Sequence, residues 1–140
     1  MRKFDTGASR NSAEGKLDYE GYLSPLVLRR YAEYMAEHQK LPDGSTRASD
    51  NWQLGMPRAE YMKSLWRHLM GAWSCHRQYS SNDIEELLCA IIFNASGYLH
   101  EQIKERIRCT DPEGDEFLEW LASNVPVTPA DDPDLDALFI

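Results

Sequence analysis

The chain reads as all-α: a small bundle of about four helices with a long N-terminal segment and long interhelical loops. Three observations predict it. Between Ser81 and Glu101, apolar residues recur at steps of three and four: Ile84, Leu87, Leu88, Ile91, Ile92, Ala95, Tyr98 and Leu99. The stretch after Pro57 does the same through Met62, Leu65, Trp66, Leu69, Met70 and Trp73. Only a short turn, Arg77–Asn82, joins the two, which makes them antiparallel neighbours.

In chain order, residues 1–22 are polar and glycine-containing and read as loop. Leu17, Tyr19, Tyr22 and Leu23 are the expected anchors onto the body. Ser24 followed by Pro25 is a cap and a first-turn proline, so a helix starts there and runs to about His38. Val27, Leu28, Tyr31, Tyr34 and Met35 give it a broad apolar face. Lys40–Met56 is rich in turn formers and has no helical period. A connection of that length in a small domain is functional or disordered, and it carries Asn51 and Trp52. Pro57 opens the second long helix. Off its apolar stripe lie Lys63 and Arg67, four apart, and Ser64 and His68, also four apart.

The third long helix begins with a capping box, Asn82 with Glu85, and continues through Arg108. Beside its wide apolar stripe runs a narrow one: Asp83, Glu86, Ala90, Asn94, Gly97 and Glu101, each three or four residues from the last. That seam of acids, an amide and small residues is the pattern of a helix that lines a site. A fourth, short helix is expected around Phe117, Leu118, Trp120 and Leu121. The end is proline-rich and acidic and finishes Leu138-Phe139-Ile140.

The 140 residues and an ordinary hydrophobic fraction, 42%, fit one folded domain. We place it at 1–124, with an acidic tail at 125–140. The net charge is −8, and the nine acids after Cys109 have no basic companion, so residues 1–109 carry the difference, +1. A body that near neutrality is not a general duplex-binding surface. No apolar run has the length of a membrane span and the start lacks a signal-peptide core, so a cytoplasmic protein is expected. Cys75, Cys89 and Cys109 form no CxxC pair, which argues against a disulfide framework or a thiolate zinc site. Cys89, inside the apolar run, reads as a small core residue. There is no phosphate-binding glycine loop, nucleophile elbow or zincin motif.

Two readings stand at each candidate position. Asp83, Glu85 and Glu86 at a helix start favour the positive end of its dipole; as oxygen ligands they would also suit Mg²⁺ or Mn²⁺. Asn94 interrupts the most apolar part of the third helix. It is either an amide satisfied by a neighbouring helix or a ligand contact, because a buried amide must be hydrogen-bonded. Trp52 is a packing anchor or a surface on which a base stacks. Lys63 and Arg67 could meet phosphate oxygens. His68 gains a role only if it faces Glu86; His76 and His100 read as surface residues.

Taken together, Gly15–Asp18 (GKLD), Asp50–Trp52 with Gly55, Trp66–His68 (WRH) and the acid-started helix reaching Phe93–Asn94 resemble a phage-associated family. That family is the MazZ-like dATP/dGTP diphosphohydrolases, relatives of the MazG-like pyrophosphohydrolases. The resemblance covers roughly Gly15 to Glu101. It implies an all-α enzyme that hydrolyses a purine (deoxy)nucleoside triphosphate to monophosphate and pyrophosphate with Mg²⁺ or Mn²⁺. In that family this belongs to 2-aminoadenine synthesis and nucleotide-pool control.

Carried onto this sequence, the resemblance implies metal ligation by Asp83, Glu85 and Glu86, with Asp83, Glu86 and His68 catalytic. Lys63 and Arg67 would face phosphate. Asn51, Trp52 and Asn94 would lie near base or sugar, joined by Lys16 and Asp18 from the N-terminal segment. The site would sit between the second and third long helices under the Lys40–Met56 loop. A homo-oligomer, dimer or tetramer, is implied as well. The sequence departs from the MazG pattern: the second helix has no ExxE, and Cys89 stands where ExxD has its aspartate. A non-catalytic protein that sequesters a nucleotide, as a counter to nucleotide-signalled host defence, is therefore the alternative. The tail has the form of an acidic, apolar-tipped recruiter of a replication protein, against the plainer reading of a solubilising end.

Overall fold

The structure, a computed structural model, describes residues 1–110. The expected fourth helix, the 124/125 boundary and the tail ending in Leu138-Phe139-Ile140 lie outside the described residues. What is described is all-α apart from one small ribbon, and it falls into two compact units that part after Tyr22.

The N-terminal unit is more ordered than a loop. Strands β1 (Arg2–Lys3) and β2 (Ser9–Arg10) pair antiparallel, with Arg2 opposite Arg10. The turn between them is closed by Gly7, at φ +87°, whose N–H donates to the Phe4 carbonyl. One helical turn, α1 (Tyr19–Tyr22), follows, and the Asp18 carboxylate accepts from Gly21 N–H at 2.9 Å. Leu17, Tyr19, Tyr22 and Leu23, expected as anchors, are exposed.

The body starts at α2 (Pro25–Glu37). Ser24 Oγ accepts from Val27 N–H, as the Ser-Pro start requires, and the helix ends at His38. The Lys40–Met56 connection is not structureless. Lys40 bridges Thr46, Asp43 accepts from both Ser45 N–H and Ser45 Oγ, and Asn51–Leu54 forms a 3₁₀ turn. Turn formers without a helical period built short local structure that no periodic signal marks.

Helix α3 (Arg58–His76) and helix α4 (Ile84–Thr110) form the antiparallel hairpin. Its pairing is read from contacts at both ends. Arg58 Nη1 reaches Glu105 at 2.7 Å, and Cys75 Sγ donates to the Asn82 carbonyl at 3.4 Å. The cap of α4 is Asp83, not Asn82: Asp83 Oδ1 accepts from Glu85 N–H at 2.9 Å and from Glu86 N–H at 3.4 Å. An aspartate there satisfies orphan N–H groups and complements the dipole at once.

Which faces are buried is the main correction to the sequence reading. The wide apolar stripes were expected to make the core. Instead Met62, Trp66, Leu69, Met70 and Trp73 of α3 are exposed, as are Ile84, Leu88 and Leu99 of α4. The buried side chains are Tyr34, Tyr61, Ala72, Cys89, Ala90 and Asn94. Three of the six lie on α4 at or next to the narrow seam. Tyr34 packs on Cys89 and Ala90, with Tyr31, Met35 and Phe93 around them. Small residues on α4 let α2 and the start of α3 come close, and the large aromatics come from those partners.

Gly97 shows how tight that approach is. A Cβ there would overlap the Tyr61 ring, which is 2% exposed. Gly97→Ala is expected to cost about 1–3 kcal/mol through overpacking, although alanine is the better helix former by ~1 kcal/mol. Thermal unfolding should show it as a fall in Tm of roughly 5–10 °C; an unchanged or higher Tm would mean that Tyr61 is not seated on this glycine.

Candidate functional site

Two features are built from residues of α2 and α4. The first is an ionic knot at the start of α4. Arg30 Nε donates to Glu85 Oε2 at 3.1 Å, and its Nη2 to Glu86 Oε2 at 3.3 Å, with Asp83 Oδ2 at 3.9 Å. Glu85 is the largest cause of a guanidinium pKa raised above its ordinary value, with Glu86 adding to it against desolvation. His38 completes the row Arg30, Tyr34, His38, spaced four apart on α2. Its Nε2 lies 3.5 Å from Glu86 Oε1 and its Nδ1 2.8 Å from the Tyr34 carbonyl, and its ring tilts over Tyr34. The three acids therefore converge, as their spacing predicts, but on a cation supplied by α2.

Beneath the knot sits Cys89. Burial pushes its thiol up; Arg30 pulls it down, while Glu86, Glu85 and Asp83 push it further up. Burial likewise raises the phenol of Tyr34, with Glu86 adding to it. Carboxylates close by make a second negative charge unfavourable at either group.

The second feature is a cleft of about 620 Å³ within the body, between α2, the 3₁₀ turn, Tyr61 of α3 and the middle of α4. Its walls are aromatic: Tyr31, Trp52, Tyr61, Phe93 and His100. Trp52 meets His100 edge to face at 5.0 Å, and Tyr61 is tilted against Phe93 at 6.3 Å. Ala32, Ala36, Ser96 and Gly97 keep the space open, and Gln39 and Ser49 bring polar groups to it. Flat aromatic walls with a few polar groups suit a planar, hydrogen-bonding ligand of ring-system size.

The sequence-derived candidates divide between and beyond these features. Asp83, Glu85 and Glu86 are in the knot. Among the described residues, no group of three or more His, Cys, Asp or Glu side chains is arranged to hold a metal ion. Trp52 is in the cleft wall, and Asn51 is the exposed first residue of the same turn. Asn94 is sealed, 4% exposed, and its Nδ2 donates to the Ala90 carbonyl at 2.8 Å. The amide is satisfied by its own helix one turn back, not by a neighbouring helix. Lys63 pairs with Glu60 at 2.9 Å, and Arg67 donates to Ser64 Oγ at 2.7 Å. Neither joins the knot or the cleft. The imidazole at Glu86 belongs to His38 and not to His68, which is half-buried on α3. Lys16 and Asp18 belong to the N-terminal unit, where Asp18 caps α1.

Sequence reasoning passed over Arg30, Tyr31, His38, Tyr61 and His100. Arg30 and His38 share a row with Tyr34 at four-residue spacing, which was a usable signal. His100 follows Gly97 by three on α4, on the seam's side. Tyr61 sits one residue before the Met62 stripe and carried no signal of its own.

The shifted thiol gives a direct test. At mildly alkaline pH, Cys89 should resist alkylation because burial and the flanking acids keep it protonated and shielded. Exposed Cys109 should be modified first. Peptide mapping after timed alkylation reads this, and equal labelling of both would contradict the buried setting of Cys89.

Compared with protein-family models, curated proteins and solved structures, the chain matches none.

Proposed function

We propose that this chain binds a purine (deoxy)nucleoside triphosphate, with dGTP and dATP as the expected substrates, and hydrolyses it to monophosphate and pyrophosphate. The observation that carries the reading is the aromatic cleft, with a cluster of three carboxylates and an arginine built from the same two helices, α2 and α4. A purine is flat, apolar on its faces and polar at its edge. Trp52, Tyr31 and Phe93 supply aromatic surface for the faces, and Gln39, Ser49 and His100 supply groups for the edge or the sugar. Arg30 is the cation offered to a phosphate chain, since guanidinium recognises phosphate and carboxylate alike.

Asp83, Glu85 and Glu86 are the oxygen donors that Mg²⁺ or Mn²⁺ takes. As arranged they pair with Arg30 and are not grouped around an ion; to hold one, they would need Arg30 to turn from them to the triphosphate. When bound, the ion would activate water and neutralise phosphate charge. The chain's own part is to hold the base, draw in the phosphates through Arg30, and orient Glu86 through His38. The resemblance to MazZ-like enzymes of phages supports the same reaction and the same cations.

A second reading has its own observation. In the knot, Arg30 already compensates the acids. A site that keeps this arrangement would sequester the nucleotide without turnover.

One set of measurements separates the two. Pyrophosphate release from dGTP or dATP with either cation, lost in Glu86→Gln while titration calorimetry still shows binding, supports hydrolysis. Binding without release across the common nucleotides supports sequestration; neither binding nor release ends both. In either case Trp52→Ala should weaken binding by about 1–3 kcal/mol, roughly 5- to 150-fold, the worth of one base–aromatic stack. The affinity for inorganic triphosphate should stay as it was.

A further inference from the structure

Most polar groups on the cleft wall adapt to what they meet. The hydroxyls of Ser49 and Tyr31 rotate, and the His100 imidazole donates or accepts according to its tautomer. Gln39 differs, because one end of its amide is already taken. Its Nε2 donates to the Arg47 carbonyl at 3.2 Å. A carbonyl only accepts, so the nitrogen must face Arg47 and the amide cannot turn end for end. The backbone holds the residue as well. Gln39 N–H donates to the Ala36 carbonyl at 3.3 Å, and its carbonyl accepts from Arg47 N–H at 2.8 Å. Arg47 is in turn fixed by a closed loop. Lys40 bridges Thr46, Leu41 N–H donates to the Ser45 carbonyl at 2.9 Å, and Gly44, at φ +84°, makes the turn. What Gln39 has left for the cleft is its oxygen, Oε1. Among the described residues, no donor is hydrogen-bonded to it.

We propose that Gln39 decides which rings the cleft accepts. Its Oε1 takes an N–H from the edge of the bound base, so bases with a donor on that edge bind and rings bearing acceptors alone are disfavoured. This rests on the nucleotide reading and narrows it, from a flat ring to one with a donor edge. Adenine offers its exocyclic amino group, and guanine its ring N–H and exocyclic amino group. A ring without them would set its own lone pairs against Oε1, which would lose water and gain no partner. A free glutamine would turn its nitrogen toward such a ring; this one is held by Arg47. An amide ordered before the ligand arrives also loses less freedom on binding. A site built to hydrogen-bond one edge rejects the analogue that lacks it far better than an apolar wall rejects a change of size.

The test is titration calorimetry of the natural chain and of Gln39→Met with dATP, dGTP and the deoxynucleoside triphosphate of unsubstituted purine, whose base carries no N–H. In the natural chain, the better bound of dATP and dGTP should exceed the unsubstituted analogue by about 10-fold or more, the effect of one unmet acceptor. In Gln39→Met, which keeps the length and loses the amide, that ratio should fall to within about 2-fold of unity. A merely structural role for Gln39 would weaken all three ligands together and leave the ratio standing, and that result overturns the proposal. Equal binding of all three to the natural chain overturns it too, and leaves the nucleotide reading in place. Binding of none of them ends both. If Gln39→Met fails to fold, the side-chain carbonyl ¹³C signal of Gln39 in the natural chain decides. It should move to higher frequency with dATP or dGTP, as a carbonyl does on accepting a hydrogen bond, and not with the unsubstituted analogue. The same response to all three overturns the proposal.

Discussion

Close approach to one side of α4 is the constraint on which this structure depends. The line Glu86, Ala90, Asn94, Gly97 is too small or too polar to fill space, so it draws large side chains from elsewhere. Tyr34 settles over Ala90 and Cys89, and Tyr61 lies against Gly97. Asn94 turns its amide to its own helix and adds no demand for a partner. The hydrophobic gain at the helix crossings comes from aromatic rings pressed onto a nearly smooth surface. That geometry leaves room beside the rings, and the aromatic cleft is the room left over.

The fold class was legible because helical periodicity survives whatever a helix packs against. Pro25, Pro57 and the turn after Arg77 marked the helix limits to within a residue or two. The assignment of faces was not legible. A stripe such as Met62, Trp66, Leu69, Met70, Trp73 states that the helix has an apolar side, but not which side the neighbouring helices pack on. The short structures at the N-terminus and around Asn51 escaped notice for another reason: they rest on local hydrogen bonds such as Asp43 with Ser45, which have no period.

The grouping of residues at the candidate site was legible in part. Spacing grouped Asp83, Glu85 and Glu86, and Trp52 stood out as an aromatic in a loop. What spacing within α4 could not supply was the partner across the gap. Arg30 is 55 residues from Glu85 in sequence, and only the crossing of α2 brings them together. The same holds for His38 against His68: both are histidines near a polar row, and tertiary packing alone selects one. Asp83 illustrates a different limit. Its position suits either a cap or a ligand, and it caps. Oδ1 accepts from the backbone, while Oδ2 faces Arg30 at 3.9 Å.

Gly55 ends the 3₁₀ turn that carries Trp52, at φ 71° and ψ 169°, a region in which an L side chain is strained. A Cβ there would point at the Glu101 carboxylate, 2.6 Å from Oε1. The indole wall is thus hung from a backbone position of positive φ, a conformation that Gly7, Gly15, Gly44 and Gln78 also adopt. In mirror image those angles fall in the ordinary extended region, so a D-alanine introduced by chemical synthesis meets no backbone strain, and its methyl replaces the other α-hydrogen, away from Glu101. Chirality at a single atom, more than bulk or polarity, governs where that wall stands.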